Sequence, residues 1–396
     1  MHQSAQSVRV LHVGKFYPPH MGGMETHLRD LASCLSSNMQ VEVIVSNDSW
    51  RTEHQVTDGV SVRKLATLGV FASAPVSPTM ALELRRTNAD IVHLHFPNPA
   101  AAVAVLASGY RGPLVVTHQS DIVGKERLRR LTDPFVAEVM ERASVVIATS
   151  RRYALSSAEL RPYLRKCRVV PLGIPVPPTF LPAGGAGNES DAPPSVLAVG
   201  RLVPYKGFEF LIRAMVHVDA RLTIVGTGPL HARLQSLIDS NRLTDRVRLL
   251  GYVEDLAPLY RAADVVVMPS ITRAEAFGLV QLEAMSYGKP VINTDLDSGV
   301  PEVSLHGETG LTVPPSEVRA LSDAISLLLQ DHHLRGRLGA AAAVRFRAEF
   351  VAERMAARTA GIYREVLGLP PLQEAQAAVV YQPAAAHSHA VPDRAN

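Results

Sequence analysis

Short β-branched runs recur along this chain, each followed by a longer stretch of helical period, and that alternation restricts the fold to parallel sheets joined by crossover helices. The first runs are Val8–Val13, Val41–Val45, Ile91–His95, Leu114–Thr117 and Val145–Thr149. After the first of them, Met24, Leu28, Leu31 and Leu35 repeat at spacings of four, three and four, which lines one helix face. The pattern breaks at Pro175 and gives way to a Pro/Gly/Ser-rich stretch reaching Pro194, read as a linker. It resumes with Val196–Val199, Leu222–Val225, Val247–Leu250, Val265–Met268, Val291–Asn293 and Leu311–Val313. Two doubly wound, Rossmann-like α/β domains are therefore expected over 1–174 and 195–340, with the linker at 175–194. A C-terminal helix is expected within 341–369, and the Ala, Pro, Gln and His of 370–396 predict a disordered tail. Open parallel sheets bind ligands beyond the carboxyl ends of their strands, so the active site is expected in a cleft between the two domains.

A length of 396 residues, 47% hydrophobic and 19% charged, suits a soluble two-domain enzyme and excludes the polar profile of a disordered chain. Cys34 and Cys167 are the only cysteines, too few for a disulfide framework or a zinc site. The first strand follows the N-terminus without a basic and apolar leader, and the longest uncharged apolar stretch, about Pro99 to Tyr110, is shorter than the roughly 20 residues of a spanning helix. A cytoplasmic location is expected. Charge is uneven: residues 1–172 carry 20 Lys/Arg against 14 Asp/Glu, and the remainder 20 against 23. Its densest basic point is Lys125, Arg127, Arg129 and Arg130, which is either a solvated helix face or a surface that meets anionic lipid at the inner face of the plasma membrane. No nucleic-acid partner is expected.

The stretch Ser270 to Pro290 carries the most chemistry. A strand ending at Met268 delivers a loop that opens a helix near Gly278, so Glu275 lies before the helix and Glu283 about two turns inside it. Amides of Phe277, Gly278 and Leu279 at the helix start can face an anion, and the helix dipole favours one there. Carboxylates accept hydrogen bonds from vicinal hydroxyls, so two glutamates can serve two sugar rings. Either glutamate alone could equally decorate an exposed helix start. His118 ends the run Leu114-Val-Val-Thr-His, at the strand edge where functional residues collect. Gly22 and Gly23, between the first strand and first helix, permit close approach to phosphate, although the loop lacks the dinucleotide G-x-G-x-x-G spacing.

Glu275 and Glu283 with the run to Pro290, together with Val199-Gly-Arg-Leu-Val-Pro-Tyr-Lys206-Gly, Ile224 to Pro229, Leu250 to Val253 and Leu259 to Ser270, resemble family 4 glycosyltransferases. The likeness extends from about residue 8 to 367 and closes with Gly299-Val-Pro-Glu302 and Gly307-Glu-Thr-Gly310. It implies the GT-B architecture and transfer of a sugar, with retention of configuration, from a nucleotide diphosphate sugar to a glycan or lipid-linked glycan. It assigns Arg201 and Lys206 to the donor diphosphate, and fixed cations there would stabilise charge as the leaving phosphate develops it. It places His118 beside the transferred sugar, Gly22 and Gly23 over the diphosphate, and Val253, Phe277, Gly278, Leu279 and Glu283 at the donor. The catalytic set is then His118, Glu275, Arg201 and Lys206. Likeness of the segments around Asn293 and Leu305 to mannosyl- and rhamnosyltransferases of bacterial polysaccharide assembly points to GDP-mannose. One departure is Ser298-Gly299, where relatives often carry two glycines before Pro-Glu, and it leaves the role of Glu302 open.

Neither a cofactor nor a metal is expected. Asp295-Leu-Asp297 has a D-x-D spacing, but two cations already serve the diphosphate and so short a motif is weak. His93 and His95 could share a strand face and bind a metal, yet no third ligand motif accompanies them, which favours a structural or acceptor-side role. A nucleotide-sugar epimerase or a sugar phosphorylase on the same fold is the competing enzyme reading, and a non-catalytic sugar-nucleotide or glycan-binding regulator is the competing class.

Overall fold

A computed structural model describes residues 7–20, 22–71, 74–121, 126–178 and 193–371. The N-terminal sheet is built from β1 (Arg9–Val13), β2 (Gln40–Ser46), β3 (Glu53–Thr57), β4 (Val60–Leu65), β7 (Ile91–Phe96), β8 (Leu114–His118), β9 (Val145–Ala148) and β10 (Cys167–Val169); β5 (Val70–Phe71) and β6 (Ala74–Pro75) pair separately. Strand order is β10-β9-β8-β7-β1-β2-β4-β3, parallel throughout except that β3 runs antiparallel to β4. The helices are α1 (Gly23–Ser36), α2 (Met80–Arg85), α3 (Pro99–Ala107), α4 (Glu126–Arg142) and α5 (Arg151–Ser156). The Pro99 stretch weighed as a membrane segment is thus α3, and no helix of the described residues is long and apolar enough to cross a membrane.

The second sheet orders β13 (Val247–Leu249), β12 (Arg221–Val225), β11 (Ser195–Val199), β14 (Val265–Val267), β15 (Val291–Thr294) and β16 (Gly310–Val313), all parallel. Strands buried on both faces need apolar residues at nearly every position, which explains the Val/Ile runs. Helices α6 (Phe208–Ala214), α7 (His231–Ser240), α8 (Ala257–Ala262), α9 (Leu279–Ser286), α10 (Val300–Val303) and α11 (Val318–Gln330) complete the crossovers.

The chain then departs from the expected single terminal helix. Two helices form, α12 (His332–Glu349) and α13 (Ala352–Val366). The break falls at Phe350, which is buried, and at Val351, whose backbone is extended and bridges to Ile174. Ile174 donates its amide to Phe350 O at 3.0 Å, and Ala352 donates to Ile174 O at 2.9 Å. The two strands that pass between the domains are therefore zipped together, and Gly173 is required beside them, because a Cβ there would lie 2.6 Å from Val351 O. Beyond this joint α13 returns to the N-terminal domain, where Met355, Ala360 and Tyr363 join Leu28, Leu31 and Val43 in one core. Most of the linker, 179–192, and the tail from 372 lie outside the described residues.

Candidate active site

In the C-terminal domain, β11 ends at Val199 and leads through Arg201 to a short 3-10 turn, Pro204–Lys206. Gly207 follows in the left-handed region, φ 67°, with its Cα so close to the β14–α9 loop that a Cβ would fall 2.1 Å from Pro269 O. That approach, sealed by the Ile271 amide donating to Tyr205 O at 2.8 Å, carries Lys206 to Glu275. Lys206 Nζ lies 2.6 Å from Glu275 Oε2, which also accepts from Ser270 Oγ at 2.9 Å. Both members of the pair are buried. Burial pulls the Lys206 ammonium down, but Glu275, with Tyr205 adding, outweighs it and holds the pKa above the ordinary lysine value.

Glu283, the fifth residue of α9, accepts from the Tyr260 phenol and is half-buried. Burial raises its pKa, and the Tyr260 hydrogen bond and Lys206 charge only partly counter that. Arg201 is exposed, and its charge acts on Lys206. Phe277 is buried, and Gly278, φ 81°, starts α9 in a place where a Cβ would meet Met268 Sδ at 2.6 Å. Leu279 and Val253 pack on the same apolar cluster. Across the cleft, Gly22 and Gly23 open α1, and a Cβ added to Gly23 would lie 3.5 Å from Leu279 Cδ1. The structure thus gathers Arg201, Lys206, Glu275, Glu283 and the start of α9 in one place and sets the Gly22-Gly23 backbone against it.

His118 sits in a second polar group, at the end of β8. Its ring is fully buried, with Nδ1 2.7 Å from Tyr153 Oη and Nε2 3.1 Å from Glu159 Oε2. The Tyr153 hydroxyl donates to Asp121 Oδ1 at 3.1 Å, and Ser157 Oγ donates to the same oxygen. Burial, with Asp121 adding, raises the Tyr153 phenol above the ordinary tyrosine value. Arg273 of the C-terminal domain lies 2.7 Å from Asp121 Oδ2 and donates to Ser156 O at 3.1 Å. Arg273 is two positions from Glu275 and Asp121 three positions from His118, so this ion pair joins the two polar groups across the domains.

More contacts line the same boundary. Glu302 accepts the amides of Arg151 and Arg152 at 3.0 and 2.7 Å, capping α5 from the opposite domain. Arg152 pairs with Asp295 at 2.8 Å and Asp297 at 3.5 Å, which gives the D-x-D carboxylates a cationic partner. His93 and His95 do share a face of β7, and β1 supplies the third histidine that sequence spacing could not show: His12 is the register partner of His93. His12 Nδ1 lies 2.9 Å from His95 Nε2, and His93 contacts Tyr363 Oη at 2.5 Å and Thr117 Oγ1 at 2.7 Å. His12, His93 and His95 offer ligand atoms within 4.8 Å of one another, as do His118, Asp121 and Glu159. Of the basic cluster, Lys125 is outside the described residues, as are the side chains of Arg127, Arg129 and Arg130.

Asp121, Tyr153, Glu159 and Arg273 escaped the sequence reading. Asp121 and Arg273 carried a signal, each being a charged residue within three positions of a site residue in a strand-end loop. Tyr153 and Glu159 carried none, because 35 and 41 positions separate them from His118.

Residues 21–176 match the family model described as Glycosyltransferase Family 4, and residues 186–345 match that described as Glycosyl transferases group 1. The chain is also 33% identical over 354 residues to the D-rhamnosyltransferase WbpZ of Pseudomonas aeruginosa, across 87% of this chain and 93% of that protein. The chain is a family 4 glycosyltransferase. This glycosyltransferase is 28% identical over 368 residues to the O-antigen chain mannosyltransferase C of Escherichia coli, across 91% of the chain and 99% of that protein. Among solved structures, sucrose-phosphate synthase from Thermosynechococcus elongatus superposes with a TM-score of 0.76 at 23% identity, over 91% of the chain and 99% of that structure. Anabaena HepE in complex with UDP and glucose gives 0.71 at 22% identity, over 91% and 99%. These likenesses establish the GT-B fold expected from the motifs.

Proposed function

We propose that this family 4 glycosyltransferase moves a hexose, mannose from GDP-mannose, onto a hydroxyl of a growing polysaccharide or glycolipid with retention of anomeric configuration. The observation that carries the reading is the buried Lys206–Glu275 pair at the mouth of α9, set against the Gly22-Gly23 backbone of the other domain. In this reading 1–174 bind the acceptor and 195–340 the nucleotide sugar. Lys206 and Arg201 offset charge on the departing diphosphate, and the amides of Phe277, Gly278 and Leu279 add their dipoles. Glu275 keeps Oε2 on Lys206 and Ser270 and turns Oε1 to sugar hydroxyls, while Glu283 serves the second ring. With Glu275 held in this way, front-face substitution is favoured, in which the leaving phosphate takes the acceptor proton. The rhamnosyl and mannosyl names of the relatives support the sugar, and the basic balance of residues 1–172 supports an acceptor at an anionic membrane surface.

The test is a donor panel with a lipid-linked or soluble glycan acceptor, run with EDTA and analysed for product anomer. Turnover with GDP-mannose, undiminished by EDTA, giving an α-linked product is the expected result. Use of a different nucleotide sugar overturns the donor, inversion overturns the mechanism, and loss of activity restored by magnesium returns Asp295 and Asp297 as metal ligands.

A further inference from the structure

Tyr260 belongs to α8 and is buried, 1% exposed, in the apolar cluster that also takes in Val253, Leu279 and Tyr287. Its hydroxyl donates to Glu283 Oε2, and its ring stacks on that of Tyr287 with centroids 5.5 Å apart and planes 4° from parallel. Glu283 lies within α9 and Tyr287 caps its C-terminal end, and a spacing of four residues puts both on one face of that helix. Tyr260 thus grips this face at two points, hydroxyl on carboxylate and ring on ring. Burial, with Glu283 adding, holds the phenol well above the ordinary tyrosine value, so the hydroxyl keeps its proton and remains the donor.

A glutamate needs such a partner if its carboxylate is to face one way. The terminal torsion of the side chain is broad, so neighbours and not the rotamer set the plane of the two oxygens. An ionised carboxylate offers about four lone-pair sites, of which Tyr260 fills one, leaving enough for both hydroxyls of a vicinal diol.

We propose that Tyr260 is a positioning residue that fixes the Glu283 carboxylate to accept both hydroxyls of the donor's ribose. The proposal rests on the reading above in which Glu283 serves the second ring of the nucleotide sugar, and it makes recognition of the ribose a property of α8 and α9 together. Tyr260 acts only through Glu283, because its ring is covered and its proton is already engaged.

The experiment measures by calorimetry the Kd of GDP and UDP, and of forms of each lacking both ribose hydroxyls, on the full chain without acceptor. For whichever nucleotide binds the wild type more tightly, loss of the two hydroxyls should weaken binding about ten- to a hundredfold, the range for hydrogen bonds to a charged group. In Tyr260→Phe, which keeps the ring and its stack, the intact nucleotide should bind about tenfold more weakly while the form without hydroxyls binds as in the wild type. The ratio between the two therefore falls by about tenfold. A ratio compares two ligands on one preparation, so any loss of folded protein cancels from it. Placing para-aminophenylalanine in the position of Tyr260 returns a donor to the same ring and should restore the ratio. An undiminished ratio in Tyr260→Phe, equal weakening of both ligands, or a ratio that the amino ring fails to restore overturns the proposal. A wild type that binds the two forms alike, or binds neither GDP nor UDP, overturns instead the placement of Glu283 at the ribose, and the proposal falls with it.

Discussion

Stability of the N-terminal domain is expected to fall steeply between pH 7.5 and pH 5.5. His12, His27, His93 and His95 meet under α1 and α13 and are all buried. Burial pushes His12 down to about 3 and His27 to about 4, and it takes His93 and His95 well below the usual histidine range, neighbouring rings adding to the effect on all but His27. The native chain therefore keeps all four neutral in this window, whereas the unfolded chain protonates each near 6.5. Fewer protons in the native state means stability present above pH 6.5 and lost as pH falls toward the folded values. Going from one unit above 6.5 to one unit below it costs about 1.4 kcal/mol per histidine, or about 5 kcal/mol for four. That loss is a large share of a total stability of about 5–15 kcal/mol. Asp30 and Glu283, whose pKa values burial raises, act in the opposite sense, two groups against four. Urea unfolding at the two pH values, followed by circular dichroism and by Trp50, the only tryptophan, measures the difference. In His27→Phe, which removes a ring with no hydrogen-bond partner among the described residues, the loss should shrink by about 1.4 kcal/mol. Equal stability at both pH values, or an undiminished loss in His27→Phe, refutes the reasoning.

Lys206→Ala and Glu275→Ala each strand a buried charge, so each is expected to cut turnover by about a hundredfold or more and to cost about 3–5 kcal/mol of stability. The double change Lys206→Met with Glu275→Leu should regain the stability without the turnover, and denaturant titration beside initial rates separates the two effects. Glu302→Gln weakens the cap on α5 and should lower stability by about 1 kcal/mol, read from the urea midpoint; an unchanged midpoint would show that the domain contact contributes nothing in solution. Vesicles containing anionic lipid should bind the wild type in a salt-sensitive way, since exposed charges are screened within about 10 Å at 0.1 M salt. Co-sedimentation of a variant with Lys125, Arg127, Arg129 and Arg130 changed to glutamine should show weaker binding, and equal binding would remove that cluster from the acceptor side.

The central strands of both parallel sheets were legible to within one or two residues because burial on two faces forces unbroken β-branched runs, as in Val265–Val267, whereas β4, with its alternating Val60-Ser-Val-Arg-Lys-Leu65, and the exposed edge strand β10 were not. β3 was not legible, since its residues Glu53, His54 and Gln55 lie at a solvated sheet edge where no apolar run is needed. Its turn did leave a mark: Asp58-Gly59, both with positive φ, is a two-residue hairpin turn of the kind that Asp-Gly favours. The terminal helix was misjudged as one because helical period persists through Phe350, and only the tertiary bridge of Val351 to Ile174 halts it. The same distinction governs the site. Lys206 and Glu275 each stand in an ordered motif that sequence alone exposes, although their contact depends on the close approach at Gly207. The surroundings of His118 depend on which loops meet at the strand ends. Glu159 is an unmarked glutamate in a loop until β8 and β9 lie side by side, and Arg273 gains its partner only when the second domain packs on the first. Local pattern thus identifies the residues that a single loop must present, while the groups that hydrogen-bond to His118 come from distant positions. The gap is widest at the buried His118 ring, whose two nitrogens meet only Tyr153 and Glu159 in these hydrogen bonds, neighbours 35 and 41 residues away.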